Sequence, residues 1–80
     1  MKVSVIGSGS WGTALSQAIV DNGHELLLYA RTEKAKDEIN IEHTNKRYLK
    51  TAILPNEIVA TSDLSEAVTF ADVIVIAVPT

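Results

Sequence analysis

Apolar residues in this chain keep two rhythms in turn, short near-continuous runs and longer stretches spaced three and four apart, and that alternation predicts its architecture. Lys2-Val3-Ser4-Val5-Ile6 reads as a buried strand. Trp11, Ala14, Leu15, Ala18 and Ile19 then recur at helical spacing, and Asn22-Gly23 supplies the helix stop. Glu25-Leu26-Leu27-Leu28-Tyr29-Ala30 is short and almost wholly apolar, as a strand covered on both faces should be. Thr32 is placed to cap a helix from Glu33 to about Asn40, with Ala35 and Ile39 on one face. From Ile41 to Asn56 the pattern turns polar and mixed, with Tyr48-Leu49 and Ile53-Leu54 as apolar anchors. Pro55 argues against continued helix there, so the segment reads as an irregular excursion with one helical turn. Ile58-Val59-Ala60 predicts a third strand. Asp63-Leu64-Ser65-Glu66 resembles a capping box opening a helix to about Phe70, with Leu64, Ala67, Val68 and Ala71 as its apolar stripe. Val73 to Val78 is an unbroken apolar run, mostly β-branched, that Pro79 ends.

The resulting order is βαβαβαβ, which implies parallel strands, right-handed crossovers and helices on both faces. The expected fold is α/β, a truncated Rossmann doubly wound sheet with strand order 3-2-1-4. A ligand in such a sheet belongs at the carboxyl ends of the strands, where the turn after Ile6, the pair Ala30-Arg31 and the pair Val78-Pro79 meet. The last strand would leave an open apolar edge, so the chain reads as the front part of a longer protein. No short repeat, low-complexity stretch or linker interrupts it.

The candidate chemistry lies at the first strand-to-helix turn, Gly7-Ser8-Gly9-Ser10-Trp11-Gly12. A G-x-G-x-x-G run is weak alone and informative between a strand and a helix, where each glycine has its own duty. Gly7 allows the sharp turn, Gly9 removes a Cβ that would hold a pyrophosphate off the backbone, and Gly12 lets the helix approach the sheet. The free N–H groups of the first helical turn then face the anion. Thr13-Ala14 follows Gly12 where a Walker A loop would carry Lys-Ser/Thr, so ATP or GTP hydrolysis is not expected.

Composition narrows the class further. The chain has 80 residues, a net charge of −3 and no cysteine, which excludes disulfides and thiolate zinc sites. Its two histidines show no metal-ligand spacing, so no metal is expected. The acidic balance argues against a nucleic-acid surface; Lys46, Arg47 and Lys50 form a local basic cluster that reads equally well as a solvated face. No apolar run approaches the roughly 20 residues of a membrane span, and no signal peptide is evident, so the expected location is cytoplasmic.

An NAD site usually carries Asp or Glu at the end of the second strand, about 20 residues past the glycine turn, to accept from the ribose 2′-hydroxyl. Here the sequence reads Ala30-Arg31-Thr32. A guanidinium cannot accept that bond but pairs with a 2′-phosphate or stacks on adenine, so the cofactor is expected to be NADP or NAD, with NADPH favoured.

The run Gly7 to Leu15, with tryptophan inside the glycine motif, resembles the N-terminus of bacterial NAD(P)-dependent glycerol-3-phosphate dehydrogenases. Asn22-Gly23-His24, Tyr29-Ala30-Arg31, Ile39-Asn40, Asn45-Lys46-Arg47-Tyr48-Leu49, Leu54-Pro55 and Ala60-Thr61-Ser62-Asp63-Leu64 extend the likeness. Lys50-Thr51 departs from it, because the family often has Pro-Gly after Tyr-Leu. The resemblance implies hydride transfer between the nicotinamide and C2 of dihydroxyacetone phosphate or sn-glycerol 3-phosphate, feeding glycerophospholipid synthesis. It implies cofactor contacts by Ser10 and Trp11 at the phosphate turn, Arg31 at the adenosine end and Tyr48 across the pocket. On this reading residues 1–80 are the N-terminal part of an NAD(P)-binding domain, and the helical substrate domain and catalytic lysines lie beyond Thr80. The isolated chain is then expected to be inactive, with no catalytic residue of its own. A small phosphorylated substrate and a homodimer are expectations for the full-length protein. The competing readings are another two-domain dehydrogenase, of hydroxyacyl-CoA, ketopantoate or phosphogluconate type, and a dinucleotide-sensing module without chemistry.

Overall fold

The computed structural model describes residues 1–47 and 53–77. Strands β1 (Lys2–Ile6), β2 (Glu25–Tyr29), β3 (Ile58–Thr61) and β4 (Val73–Ile76) form one parallel sheet in the order β3-β2-β1-β4. Helices α1 (Ser10–Asp21), α2 (Glu33–Asp37) and α3 (Leu64–Phe70) connect them. The doubly wound order expected from the pattern is therefore the order observed.

Register explains how two faces of the sheet are covered. Val3 pairs with Leu26 and Val5 with Leu28, and these in turn meet Ile58 and Ala60. All six belong to one buried cluster, completed by Ile39, Leu54 and Ala77, against which Ile19 and Val20 of α1 pack. Fully burying a side chain such as Leu28, Ile39 or Ile58 stabilises by roughly 1.5–3 kcal/mol. Ser4 points to the opposite face, and its buried hydroxyl donates to the Ala67 carbonyl at 2.6 Å. A small side chain there lets α3 approach β1 closely, so α1 and α3 cover opposite faces.

Two apolar stripes differ from the sequence expectation. In α1 the buried residues are Gly12, Thr13 and Ser16, followed by half-buried Ile19 and Val20, while Trp11, Ala14 and Ala18 face outward. Helical spacing placed Ile19 on the core side and missed Gly12, Thr13 and Ser16, because close packing on a strand selects small residues over large ones. In α3 only Ala67 is fully buried, and Leu64 and Val68 are about half exposed. The β4 residues Val73, Ile74 and Ile76 are exposed as well, as the open edge predicted.

Caps formed largely as expected. Thr32 Oγ1 accepts from the Ala35 amide at 3.1 Å and Asp63 Oδ1 from the Glu66 amide at 3.3 Å. The reciprocal half of the capping box is replaced, since the Asp63 amide donates to Thr61 Oγ1 instead. The second helix is shorter than expected. It passes at Glu38 into a π-helical turn, Glu38–Glu42, and the chain reverses at His43 in a left-handed conformation with φ 57°. Leu54 N donates to His43 O at 2.6 Å, so the ends of the irregular excursion meet.

The π-helical turn delivers Asn40 to the free edge of β3. Its side chain accepts from the Ala60 amide at 2.7 Å and donates to the Ala60 carbonyl at 2.9 Å, as a neighbouring strand would. Asn40→Ala strands both backbone groups and is expected to cost about 1–3 kcal/mol of stability. The measurement is a urea midpoint at unchanged slope; an unmoved midpoint would show that water replaces this clasp without penalty.

Candidate functional site

Between β1 and α1 the backbone turns at Gly7, where φ is 124°, a conformation L side chains rarely adopt. Five residues later α1 passes directly over that turn. A Cβ on Gly12 would lie 1.8 Å from the Gly7 carbonyl oxygen and 2.9 Å from its carbon, which no rotamer change relieves. The next neighbour is the Ala77 Cβ at 3.6 Å, beyond the end of β4. The third glycine thus serves contact between helix and turn rather than between helix and sheet in general. Gly9 has ordinary extended dihedrals (φ −70°, ψ −173°), so its glycine is not demanded by backbone conformation.

Gly9 is also the N-cap of α1 and offers no side chain to the first turn, which contains no acidic residue either. Helices α2 and α3 are capped by Thr32 and Asp63 and carry Glu33 and Glu66 in their first turns. Of the three α-helices among the described residues, only the one that begins at the glycine turn leaves its N-terminal donors without a side-chain cap. Such a terminus favours an anion by about 0.3–1 kcal/mol per charge before direct hydrogen bonds are counted.

Ser10 and Trp11 both lie on the surface at the start of α1, and Trp11 is 68% exposed. Core packing therefore does not account for the tryptophan. Arg31, just past β2, lines a cleft of about 680 Å³ together with Ser8 of the glycine turn, Thr32, Lys34, Glu38, Asn45 and Arg47. The glycine turn and Arg31 are thus brought to one edge of the sheet. Tyr48 lies outside the described residues.

Three contributors were not singled out as site residues by the sequence. Buried Asn45 donates to Ser8 O at 2.7 Å and to Thr13 Oγ1 at 3.0 Å, and Thr13 Oγ1 donates to the same Ser8 carbonyl at 3.2 Å. Arg47 joins the cleft two residues later. A polar residue in a polar segment has no periodicity to betray its burial, and Thr13 lies off the stripe expected to face inward, so neither residue announced the other as a partner.

Glu38 shapes the turn that carries these residues. Its carboxylate accepts from the Lys46 amide and from Thr44 Oγ1, both at 2.8 Å, on either side of Asn45. The backbone hydrogen bond from Lys46, followed by that from Thr44, lowers its pKa below the usual carboxylate range. Among the described residues no cluster of His, Cys, Asp or Glu could hold a metal, and no helix is long and apolar enough to cross a membrane.

The model of the NAD-dependent glycerol-3-phosphate dehydrogenase N-terminus matches residues 2–80 of this chain. The chain belongs to that family. A Staphylococcus aureus glycerol-3-phosphate dehydrogenase (NAD(P)+) is 48% identical over 79 residues, which cover 99% of this chain and 24% of the relative. Among solved structures, glycerol-3-phosphate dehydrogenase from Saccharomyces cerevisiae superposes with a TM-score of 0.89 at 32% identity, over 99% of this chain and 26% of that one. The Plasmodium falciparum enzyme gives 0.86 at 36% identity, over 99% and 25%. The chain spans about a quarter of the length of these relatives. Within the family, this chain corresponds to the portion that contains the glycine turn.

Two predictions follow from the geometry. Helix propensity alone would make Gly12→Ala stabilising by about 1 kcal/mol, but overlap with the Gly7 carbonyl reverses the sign. The variant is expected to lose at least the roughly 1–3 kcal/mol typical of overpacking, read as a fall in thermal midpoint. For Glu38, a folded pKa below the unfolded value means that its contacts stabilise fully above about pH 4.5 and are lost as pH falls through the lower folded value. The Lys46 amide should accordingly titrate by NMR with a midpoint below 4.5, and Glu38→Gln should abolish that titration.

Proposed function

We propose that this chain binds NAD or NADP, with the pyrophosphate on the glycine turn and the adenosine end in the cleft beside Arg31. The observation that carries this reading is the uncapped N-terminus of α1, packed so closely on Gly7 that only glycine fits at position 12. Gly7 and Gly12 shape the turn, Gly9 leaves its outer side open, and Ser10 adds a hydroxyl beside the first helical N–H groups. Trp11 offers an exposed aromatic face, and Tyr48 is proposed to close the pocket from the other side.

Arg31 supports a preference for NADPH. It occupies the place where an NAD site usually holds a carboxylate, and Lys34 and Arg47 line the same cleft. A 2′-phosphate there would meet three cationic side chains against the one carboxylate of Glu38.

In the full-length protein we assign residues 1–80 to the front part of the nucleotide-binding domain, followed by a helical substrate domain. The activity is the interconversion of sn-glycerol 3-phosphate and dihydroxyacetone phosphate, in the cytoplasm and in service of glycerophospholipid synthesis, with the full-length protein as a homodimer. The bound dinucleotide supplies or accepts the hydride. This chain's residues bind and orient it, and the acid–base groups come from the remainder of the protein.

Calorimetric titration of the full-length protein with NADPH and NADH tests the reading. Binding of at least one is expected, and failure to bind either would overturn it. Arg31→Ala should weaken NADPH by about tenfold or more while changing NADH by less than about twofold. Equal losses for both would remove the 2′-phosphate assignment.

A further inference from the structure

A side chain from a distant segment reaches the glycine turn. Ser8 O accepts from Asn45 Nδ2 and from Thr13 Oγ1, while Asn45 Nδ2 also donates to Thr13 Oγ1. The three groups form a closed ring of hydrogen bonds, with Asn45 and Thr13 both buried. Since a carbonyl only accepts, the ring also fixes which end of the Asn45 amide faces Ser8.

We propose that Asn45 is a positioning residue for the cofactor's pyrophosphate, acting through the Ser8–Gly9 peptide; this rests on the dinucleotide reading above. A planar trans peptide points its carbonyl and its N–H in opposite directions. Holding Ser8 O inward therefore holds Gly9 N–H outward, at the cap of α1, and keeps an acceptor oxygen away from the anion. The strut is itself braced, because Glu38 grips Thr44 and Lys46 on either side of Asn45. Turn geometry at Gly7 sets where the chain goes, and Asn45 sets which way one peptide of it faces.

Asn45→Asp is the informative variant. It replaces a donor with a carboxylate against Ser8 O, and the Thr13 hydroxyl would swing from Ser8 to that carboxylate, leaving the carbonyl without either donor. In the full-length protein the KM for NADPH and for NADH should rise together by about tenfold or more, the size of one lost buried hydrogen bond, with kcat within about twofold of wild type. That parallel loss differs from the NADPH-selective loss at Arg31. Thr13→Val is the second variant, should the first not fold. It removes one of the two donors to Ser8 and should raise both KM values by a smaller factor, while Thr13→Ser restores them. Unchanged KM values in a folded Asn45→Asp or Thr13→Val protein would overturn the proposal, as would a loss confined to kcat. A wild-type protein that binds neither dinucleotide would defeat the functional reading instead.

Discussion

The contact between the first turn of α1 and the Gly7 carbonyl is the constraint on which the rest of this structure depends. A Cβ at position 12 would overlap that oxygen, so the helix can sit where it does only because none is present. This approach sets the direction of α1 across β1 and β2 and brings Ile19 and Val20 onto the core. It also leaves the helix N-terminus facing the carboxyl edge of the sheet, uncapped. Fold and binding geometry thus arise from one steric fact. Stability and recognition would be lost together if the helix lifted from the turn.

Strand order, most element boundaries and the caps were legible in the sequence, while the second helix, expected to reach about Asn40, ends at Asp37. The β-branched run of β4, the near-continuous apolar β2 and the Thr32 and Asp63 caps each carry their signal within a few residues. Burial within helices was less legible. The α1 stripe was expected at Trp11, Ala14, Leu15, Ala18 and Ile19, yet Gly12, Thr13 and Ser16 face the sheet. Hydrophobicity marks apolar surface, whereas close approach of a helix to a strand selects small volume, and Ser16 satisfies its buried hydroxyl locally on the Gly12 carbonyl at 2.8 Å. The exposed Trp11, together with the exposed β4 side chains, marks apolar surface that the described residues do not cover.

The segment from Glu38 to Arg47 was the least legible part and proved the most connected. Its side chains reach three places far away in sequence: Asn40 the edge of β3, Asn45 the glycine turn, and Arg47 the cleft beside Arg31. No periodicity announces this, because an irregular segment is held by single polar contacts instead of a repeating face. Two asparagines carry much of the load, since an amide offers donors and an acceptor on one short side chain. Asn40 uses both kinds against one residue's backbone, while Asn45 donates to Ser8 O in the glycine turn and to Thr13 Oγ1 in α1.

Charge in the cleft follows from the same segment. The whole chain has a net charge of −3, yet Arg31, Lys34 and Arg47 line this cleft against the single carboxylate of Glu38. A carboxylate beside an anion site would ordinarily oppose binding. Glu38 instead accepts from the Lys46 amide and the Thr44 hydroxyl, and those donors offset part of its field while fixing the turn that presents Arg47. Replacing it by a neutral residue would make the cleft more positive but release the turn. The arrangement therefore trades some attraction for a defined shape.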